Sequence, residues 1–377
     1  MIAGNQLPIL FAALLFTACN FSFKGNTGND TVSETWDEAK PLQEIYKNYF
    51  LMGNIISPSD LNTMRFDLLK RHYNTVTAEN HMKPSYMAPS ANPASDNWAY
   101  RFSEADRIVS AALDAGMKVV GHTLIWHSQS PAWLTTGNKE TVLANLEKYV
   151  SEVAGHFAGK LIAWDVVNEA MRDGLTSADA NGSWRNCLRL TDSGWNRAIG
   201  PEYIERAFLA ARAADPHVKL YYNDYNLNNP NKARAVFNMV RDINERYPHA
   251  GGRPLIDGIG MQSHHHIKTN PQTVETSINL FSSLQVEISI TELDILAAGK
   301  LLEGNPPWNN GAAQQQADQY AAMFRIFKAY ASDITRVTFW GIDDGTHWRT
   351  LDGNGGHGTL LNKDYSLKPA FFSVTNP

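Results

Sequence analysis

The stretch of sequence that decides the fold is residues 161–169, LIAWDVVNE, where an apolar run ends in an amide and a carboxylate. Such a run predicts a buried strand over 161–167 with polar groups at its carboxyl end. The chain holds seven further runs that are rich in β-branched or aromatic residues, at 50–56, 75–79, 118–125, 219–223, 256–262, 286–291 and 336–341. Each predicts a strand of the same kind, so the sequence contains eight strand candidates.

Helical patterns separate the strand candidates. Their starts are marked by a cap candidate before a proline, by a capping box, or by apolar residues at helical spacing. These signals stand at Gly200-Pro201, at Asn270-Pro271, at residues 103–106 (SEAD) and along residues 314–330.

Strand and helix alternate eight times, which predicts an α/β fold with a parallel sheet. The expected architecture is a single closed (β/α)8 TIM barrel over residues 40–377, with its active site at the carboxyl ends of the strands. A doubly wound open sheet is the alternative. No GxGxxG turn follows the first strand candidate, and this disfavours the open sheet.

The charge balance disfavours one class of partner. The 377 residues include 33 basic and 38 acidic side chains, a net charge of −5, without the basic excess of a nucleic-acid-binding protein. A neutral or weakly charged substrate fits this balance better. Ten tryptophans supply flat apolar rings, which pack in cores and also against the faces of sugar rings.

The N-terminal residues have the features of an exported protein. Residues 8–18, PILFAALLFTA, are apolar but too short to span a membrane, and no Lys or Arg precedes them. Because LFTAC (15–19) resembles a bacterial lipoprotein box, residues 1–19 are predicted to be a signal peptide with Cys19 as the acylated residue. Residues 20–39 are predicted to be a flexible linker. We expect a membrane tether through Cys19 at a bacterial envelope membrane or cell surface, or else secretion.

Polar groups gather where the predicted strands end. Glu169 follows the fourth strand and Glu292 the seventh, and these two strands lie on opposing parts of an eight-stranded rim. Glycoside hydrolysis needs two carboxyl groups, one to protonate the leaving oxygen and one to attack or stabilise the oxocarbenium-like centre. Their separation, which decides between retention and inversion, does not follow from the sequence. Glu169 and Glu292 are therefore the candidate catalytic pair.

Seven motifs in barrel order carry a resemblance to a known family. They are TAENHMK (77–83), GHTLIWH (121–127), WDVVNE (164–169), YYNDYN (221–226), GIGMQSH (258–264), ITELD (290–294) and the pair Trp340 and Trp348. Over about residues 40–377 the chain resembles the endo-β-1,4-xylanases of glycoside hydrolase family 10. The resemblance implies a retaining enzyme that cuts xylan and xylo-oligosaccharides, with Glu169 as general acid/base and Glu292 as nucleophile. We expect no cofactor and no metal ion.

The resemblance also implies a set of sugar-contacting side chains. Glu79, Asn80 and Lys83 match binders of the glycone side. Asn168 matches an asparagine that bonds the sugar 2-hydroxyl, and His264 matches a histidine beside the nucleophile. The other implied contacts are His122 and Trp126 on the third strand, Asn223 and Tyr225 toward the leaving group, Gln262 near the nucleophile, and Trp340 and Trp348 as an aromatic wall.

Simpler interpretations compete at some of these positions. Glu79 and Lys83 are four residues apart, which is also the spacing of an ordinary ion pair on a helical turn. His264 and His266 would share a strand face, as metal ligands do, although no motif supplies a third ligand. The long loop after the seventh strand carries Trp308, a further candidate for substrate contact.

Two other functions also remain open. A related barrel glycosidase that acts on β-1,4-glucan would share Asn168 and Glu169, whereas Glu79, Lys83 and residues 121–124 favour xylan. A surface polysaccharide-binding protein without catalysis would suit a lipid anchor and many aromatic rings. The presence of both candidate carboxylates argues against such a binder.

Overall fold

The protein is described by a computed structural model that covers residues 34–88, 98–250, 252–351, 353 and 356–377. The predicted signal peptide and Cys19 lie outside these described residues. The compact unit spans Thr35–Pro377. Residues 35–39, assigned above to the flexible linker, belong to it, because Ala39 is buried and the Trp36 carbonyl accepts a 2.7 Å hydrogen bond from His72.

Eight parallel strands close into a barrel. Each strand pairs with the next along the chain, and the last pairs back onto the first. The strands are β1 (Leu51–Ile56), β2 (Thr75–Ala78), β3 (Lys118–Trp126), β4 (Ala163–Asn168), β5 (Lys219–Asp224), β6 (Gly258–Met261), β7 (Glu287–Leu296) and β8 (Ile334–Phe339). The prediction of a single (β/α)8 barrel is confirmed.

Strand β7 departs most from its predicted length, since it runs on to Leu296. Its added residues pair with a short extra strand, His264–His266, so that His264 lies opposite Asp294. The register between β7 and β8 also shifts between Ile290 and Leu293. Such a bulge changes the direction of the side chains near it. Glu292 lies within this shifted segment.

Helices surround the barrel. They are Leu42–Ile45, Met64–His72, Pro84–Met87, Ser103–Asp114, Lys139–His156, Ser177–Asn181, Gly194–Ile199, Tyr203–Ala214, Pro230–Arg246, Pro271–Ser282, Asn310–Ala329, Trp348–Leu351 and Pro369–Thr375, with 3₁₀ turns at Ala132–Thr135 and Trp184–Cys187. In the part of the chain that the structure describes, no helix combines the length and apolar character needed to cross a bilayer.

Helix starts follow the sequence signals unevenly. The Asn270 side chain accepts from the backbone N–H of Gln272 and caps the helix that begins at Pro271, as predicted. The capping box predicted at Ser103 is wrong, because the helix begins at that residue and Phe102 precedes it without a side-chain cap. The start predicted at Pro201 is also wrong, because that residue lies in a turn before the helix at Tyr203.

Candidate active site

A cavity of about 810 Å³ opens at the carboxyl ends of the barrel strands. It is lined by thirteen of the fourteen side chains predicted for the site: Glu79, Asn80, Lys83, His122, Trp126, Asn168, Glu169, Tyr225, Gln262, His264, Glu292, Trp340 and Trp348. The barrel thus brings together residues from seven separate strands and the loops that follow them, as expected for this fold.

Glu169 stands just after β4 and is surrounded by neutral hydrogen-bond donors. The indole Nε1 of Trp126 donates to Oε2 at 2.8 Å. The amides of Gln262 and Asn168 donate to Oε1 at 2.8 and 3.2 Å. His127 lies 3.9 Å away, and its pKa is lowered, first by burial and then by the charge of Arg189, which favours the neutral ring. Among the described residues, the Glu169 carboxylate therefore has hydrogen-bonding partners but no charged side chain bonded to it.

Glu292, within β7, has a different environment. The His264 Nε2 lies 3.2 Å from Oε2, and the Asn223 amide donates to Oε1 at 2.8 Å. Burial alone would raise the pKa of Glu292. The His264 hydrogen bond and the charges of His122 and His264 outweigh burial and hold that pKa below its usual value. The Glu292 carboxyl group is thus kept ionised.

The positive charge of His264, which lies beside Glu292, is stabilised by Asp294. The Nδ1 of His264 lies 2.9 Å from Asp294 Oδ2, so His264 bridges two carboxylates. Burial lowers the pKa of His264, but these carboxylates raise it to about 9. His347 and Trp348 complete the set of donors to Asp294, at 3.1 and 3.0 Å. The imidazole is therefore protonated at neutral pH.

Two buried amides link the candidate pair. Asn223 donates to both Glu292 Oε1 and the side-chain Oδ1 of Asn168, at 2.8 and 2.9 Å, and the Asn168 side chain in turn donates to Glu169. Thr291 donates to Asn223 Oδ1 at 2.6 Å, so the amide cannot flip without losing bonds. The two carboxylates thus share one rigid hydrogen-bond network.

Space for the Asn223 side chain depends on Gly260 in β6. A Cβ at residue 260 would lie 2.3 Å from Asn223 Oδ1 and 2.9 Å from Thr291 Cγ2. Only glycine leaves room for the amide between the two strands.

The sequence model described as glycosyl hydrolase family 10 matches residues 41–377. The chain belongs to glycosyl hydrolase family 10. Its match spans the whole barrel and includes both candidate carboxylates.

Individual family 10 relatives agree with this assignment. Endo-1,4-beta-xylanase A of Thermotoga maritima is 38% identical over 349 residues, which cover 90% of this chain and 31% of that protein. Beta-1,4-xylanase of Dictyoglomus thermophilum is 37% identical over 346 residues, 89% of this chain and 91% of that protein. The chain thus spans only 31% of the length of the Thermotoga maritima relative and of one from Thermotoga neapolitana.

A solved structure supports the same family. A family 10 xylanase from termite gut, which contains a bacterial Ig-like domain, has 36% sequence identity to this chain. The two superpose with a TM-score of 0.82 over 91% of this chain and 78% of that one. The likeness therefore extends to nearly all of the barrel.

One wall of the family 10 cavity is formed by Glu79, Asn80 and Lys83. The Lys83 ammonium donates to the Asn80 side chain at 2.9 Å and lies 5.1 Å from the ring centre of Trp126. The alternative ion pair between Glu79 and Lys83 is not formed. Burial raises the pKa of Glu79 and lowers that of Lys83, although each is opposed by the other's charge. Both side chains line the cavity.

Aromatic and imidazole rings also line the cavity. His122 packs edge-on to Trp340, with ring centres 5.2 Å apart, and its Nδ1 lies 2.9 Å from buried Asp165. The rings of His264 and Trp348 are 5.1 Å apart. Flat faces beside hydrogen-bonding groups suit the two kinds of surface that a sugar ring presents.

Asn223 is the predicted contact that the structure does not bring to the cavity wall. Its side chain is 0% exposed and its polar atoms are bonded to Glu292, Asn168 and Thr291. The expectation that it reaches the leaving group is therefore corrected. Its position on β5 directs the Asn223 side chain into the barrel. There it supports the carboxylates through its hydrogen bonds to Glu292 and Asn168.

Arg189 is a functional candidate that sequence reasoning missed. It lies in the loop after β4, and its Nε donates to the Glu169 carbonyl at 3.0 Å. Glu169 has a φ of 55°, which is uncommon for a residue other than glycine. Arg189 also donates to Asp192, Asp173 and the Tyr225 hydroxyl. Its side chain thus ties the loop to the backbone that presents Glu169.

Other candidates from the sequence lie elsewhere. Trp308 stacks on His357, with ring centres 4.3 Å apart, and does not line the cavity. The interpretation of His264 and His266 as metal ligands is disfavoured, because both ring nitrogens of His264 already face the carboxylates of Glu292 and Asp294. The cavity is also lined by four residues that the sequence did not single out: Gln129, Asn226, Arg349 and Leu351.

Proposed function

We propose that this chain is a retaining endo-β-1,4-xylanase in which Glu169 is the general acid/base and Glu292 the nucleophile. The observation that carries the proposal is the unequal bonding of the two carboxylates in one cavity. Glu169 accepts hydrogen bonds from neutral donors, whereas Glu292 is bonded to protonated His264. A nucleophile must be ionised, and a bonded cation favours ionisation. An acid/base must exchange a proton, which neutral donors leave possible.

The reaction follows in two displacements. Glu169 gives its proton to the glycosidic oxygen while the Glu292 carboxylate attacks the anomeric carbon. The bond to the leaving chain breaks and a glycosyl ester forms on Glu292. Glu169 then takes a proton from water, which attacks the same carbon and releases Glu292. Because the configuration inverts twice, the product retains the original anomeric form.

The remaining cavity residues are assigned to substrate binding. Asn168 faces the cavity beside Glu169, which suits a bond to the sugar 2-hydroxyl that strengthens in the transition state. Lys83 and Asn80 suit hydroxyl groups on the glycone side, and Tyr225 suits the leaving chain. Support for xylan as the polymer comes from the family membership and from the names of the two relatives compared above.

Azide rescue tests the two roles separately. With an activated aryl xylobioside, azide should restore turnover to Glu169→Ala and give a β-xylobiosyl azide, because azide replaces the water of the second step. Glu292→Ala should give the α-azide instead, because azide takes the place of the nucleophile. Glu245→Ala removes an exposed carboxylate and should behave as wild type. Swapped products would overturn the two assignments.

Substrate tests separate the competing functions. The wild-type protein should release reducing sugar from xylan faster than from soluble cellulose. Faster cleavage of cellulose would favour the glucanase. A protein that retains xylan in an affinity gel and releases no product would be a non-catalytic binder.

We also propose that the barrel is exported and tethered by an acylated Cys19. Support comes from the sequence alone, namely the apolar residues 8–18 and the lipoprotein-type box that ends at Cys19. The catalytic domain would then hang from a linker of residues 20–34. In a bacterial host, the wild-type precursor should fractionate with membranes and Cys19→Ser should not. Equal partition of the wild-type protein and Cys19→Ser between the membrane and soluble fractions would contradict the proposed tether.

A further inference from the structure

Arg349 is a cation in the wall of the active-site cavity that the proposed mechanism does not use. It lies in the short helix Trp348–Leu351 and is partly buried. Its guanidinium carbon sits 4.1 Å from the ring centre of Trp348. The Trp348 indole is fixed in turn by its 3.0 Å bond to Asp294. The guanidinium thus lies over a ring that is bonded to Asp294, next to the catalytic network.

Across the described residues, Arg349 has no carboxylate within 4.0 Å, and its buried Nε has no hydrogen-bond partner. The other two cations of the cavity are satisfied. Lys83 donates to Asn80, and His264 bridges Glu292 and Asp294. Arg349 therefore presents an uncompensated charge to the space where substrate would lie.

The positive charge of Arg349 affects a nearby histidine, His266. The pKa of His266 is lowered by burial and then by the positive charges of Lys268 and Arg349. Lys268 has Glu303 at 3.8 Å, but both side chains are largely exposed, so this pair gives little neutralisation. Lys268 and Arg349 thus place two positive charges close to His266.

We propose that Arg349 binds the carboxylate of a uronic acid side group on a substituted xylan. This inference rests on the proposed xylanase function and narrows its substrate class. The xylose backbone is neutral and gives a guanidinium nothing to neutralise. A carboxylate offers two coplanar oxygens that match the edge of a guanidinium. The side group would lie beside Trp348, in the cavity that Arg349 lines.

The test compares one polymer in two charge states. Glucuronoxylan and the same polymer with its uronic acid carboxyls reduced to alcohols differ only in the carboxylate. In wild-type protein, kcat/KM should be higher for the carboxylated form. In Arg349→Met the ratio of the two kcat/KM values should fall about tenfold, the size expected from losing one charge-assisted hydrogen-bonded pair. The wild-type ratio should also shrink as salt is added.

Arg234→Met is the matched control. Arg234 also stacks on an aromatic ring, 5.2 Å from the centre of Phe237, but it lines a separate cavity. This change removes the same charge and should leave the substrate ratio unaltered. An unchanged ratio in Arg349→Met, with equal losses on both polymers, would mean that Arg349 contacts sugar hydroxyls and would overturn the inference. Failure of the proposed function is distinct, because wild-type protein would then cleave neither polymer.

Discussion

The Nε2 atom of His264 lies 3.2 Å from Oε2 of Glu292, and this contact sets the charge of the candidate nucleophile. Both groups are largely buried, with 11% and 6% of their side chains exposed. Water therefore cannot replace the imidazolium as the partner of the carboxylate. The pair acts as one titrating unit with Asp294, and its pH behaviour should belong to the three groups together.

Asp294→Asn should narrow the alkaline side of the activity profile. The pKa of His264 is raised to about 9 chiefly by the charge of Asp294 acting against burial. Without that charge His264 loses its proton at lower pH, and Glu292 loses its bonded cation. We expect kcat/KM to begin falling at lower pH than in wild type. A pH profile with an activated aryl xylobioside measures this, and an unshifted alkaline limb would contradict the role of the imidazolium.

The free energy of unfolding should also depend on pH through the protonation of His264. The folded pKa of His264, about 9, exceeds its unfolded value of 6.5. Protonated His264 therefore stabilises the fold fully below pH 6.5, and this contribution is lost as pH rises through about 9. Urea unfolding at a series of pH values should show this loss in wild type. In Asp294→Asn the loss should move to lower pH.

Gly260→Ala should damage the amide link between the carboxylates. The added methyl group would lie 2.3 Å from Asn223 Oδ1, and Asn223 would have to move away from Glu292. We expect a loss of about 1–3 kcal/mol in unfolding free energy from overpacking, together with a fall in kcat. Gly155→Ala is the control, because a Cβ in that helix meets nothing within 4 Å. A fully active Gly260→Ala protein would contradict the link.

Arg189→Met should lower kcat more than it changes KM. Arg189 bonds the Glu169 carbonyl but lies outside the cavity lining, so its loss should misplace Glu169 without removing a sugar contact. Misplacement of a catalytic group by about 1 Å can cost on the order of 100-fold in rate. Steady-state kinetics on xylohexaose separate the two constants.

The control for Arg189 lies nearby in the chain, in the helix Gly194–Ile199. Arg197 is exposed and donates to the Thr191 carbonyl at 2.8 Å. Arg197→Met should retain wild-type kinetics, and Arg189→Lys should recover part of the lost kcat. Equal effects of Arg189→Met and Arg197→Met on the kinetics would mean that Arg189 only stabilises the loop in general.

The barrel was predictable because its signal is local. Each buried strand reads as an apolar run, and the residue after the run falls at the rim, as Glu169 does after β4. The extension of β7 to Leu296 was not predictable, since it depends on pairing with His264–His266, a contact between distant parts of the chain. Capping at Ser103 failed because the motif names a residue type but not the backbone angle that a cap requires.

The site was predictable in its members more than in their roles. Motif matching brought Asn223 into the set but assigned it to sugar, whereas its complete burial makes it a support for Glu292. Arg189 lies in a loop and Arg349 in the short helix Trp348–Leu351, and neither belongs to a strand pattern. Their importance arises from what they contact in space, the Glu169 carbonyl and the Trp348 ring, and no spacing in the sequence reports those contacts.

Trapping of the glycosyl-enzyme tests the assignment of the catalytic pair most directly. A 2-deoxy-2-fluoro-xylobioside with a good leaving group should form an ester that hydrolyses slowly, because fluorine destabilises the second transition state. Mass spectrometry should find one added xylobiosyl group per protein, on the peptide that contains Glu292, and none on Glu292→Gln. A label on Glu169, or release of product with inverted anomeric configuration and no adduct, would contradict the mechanism.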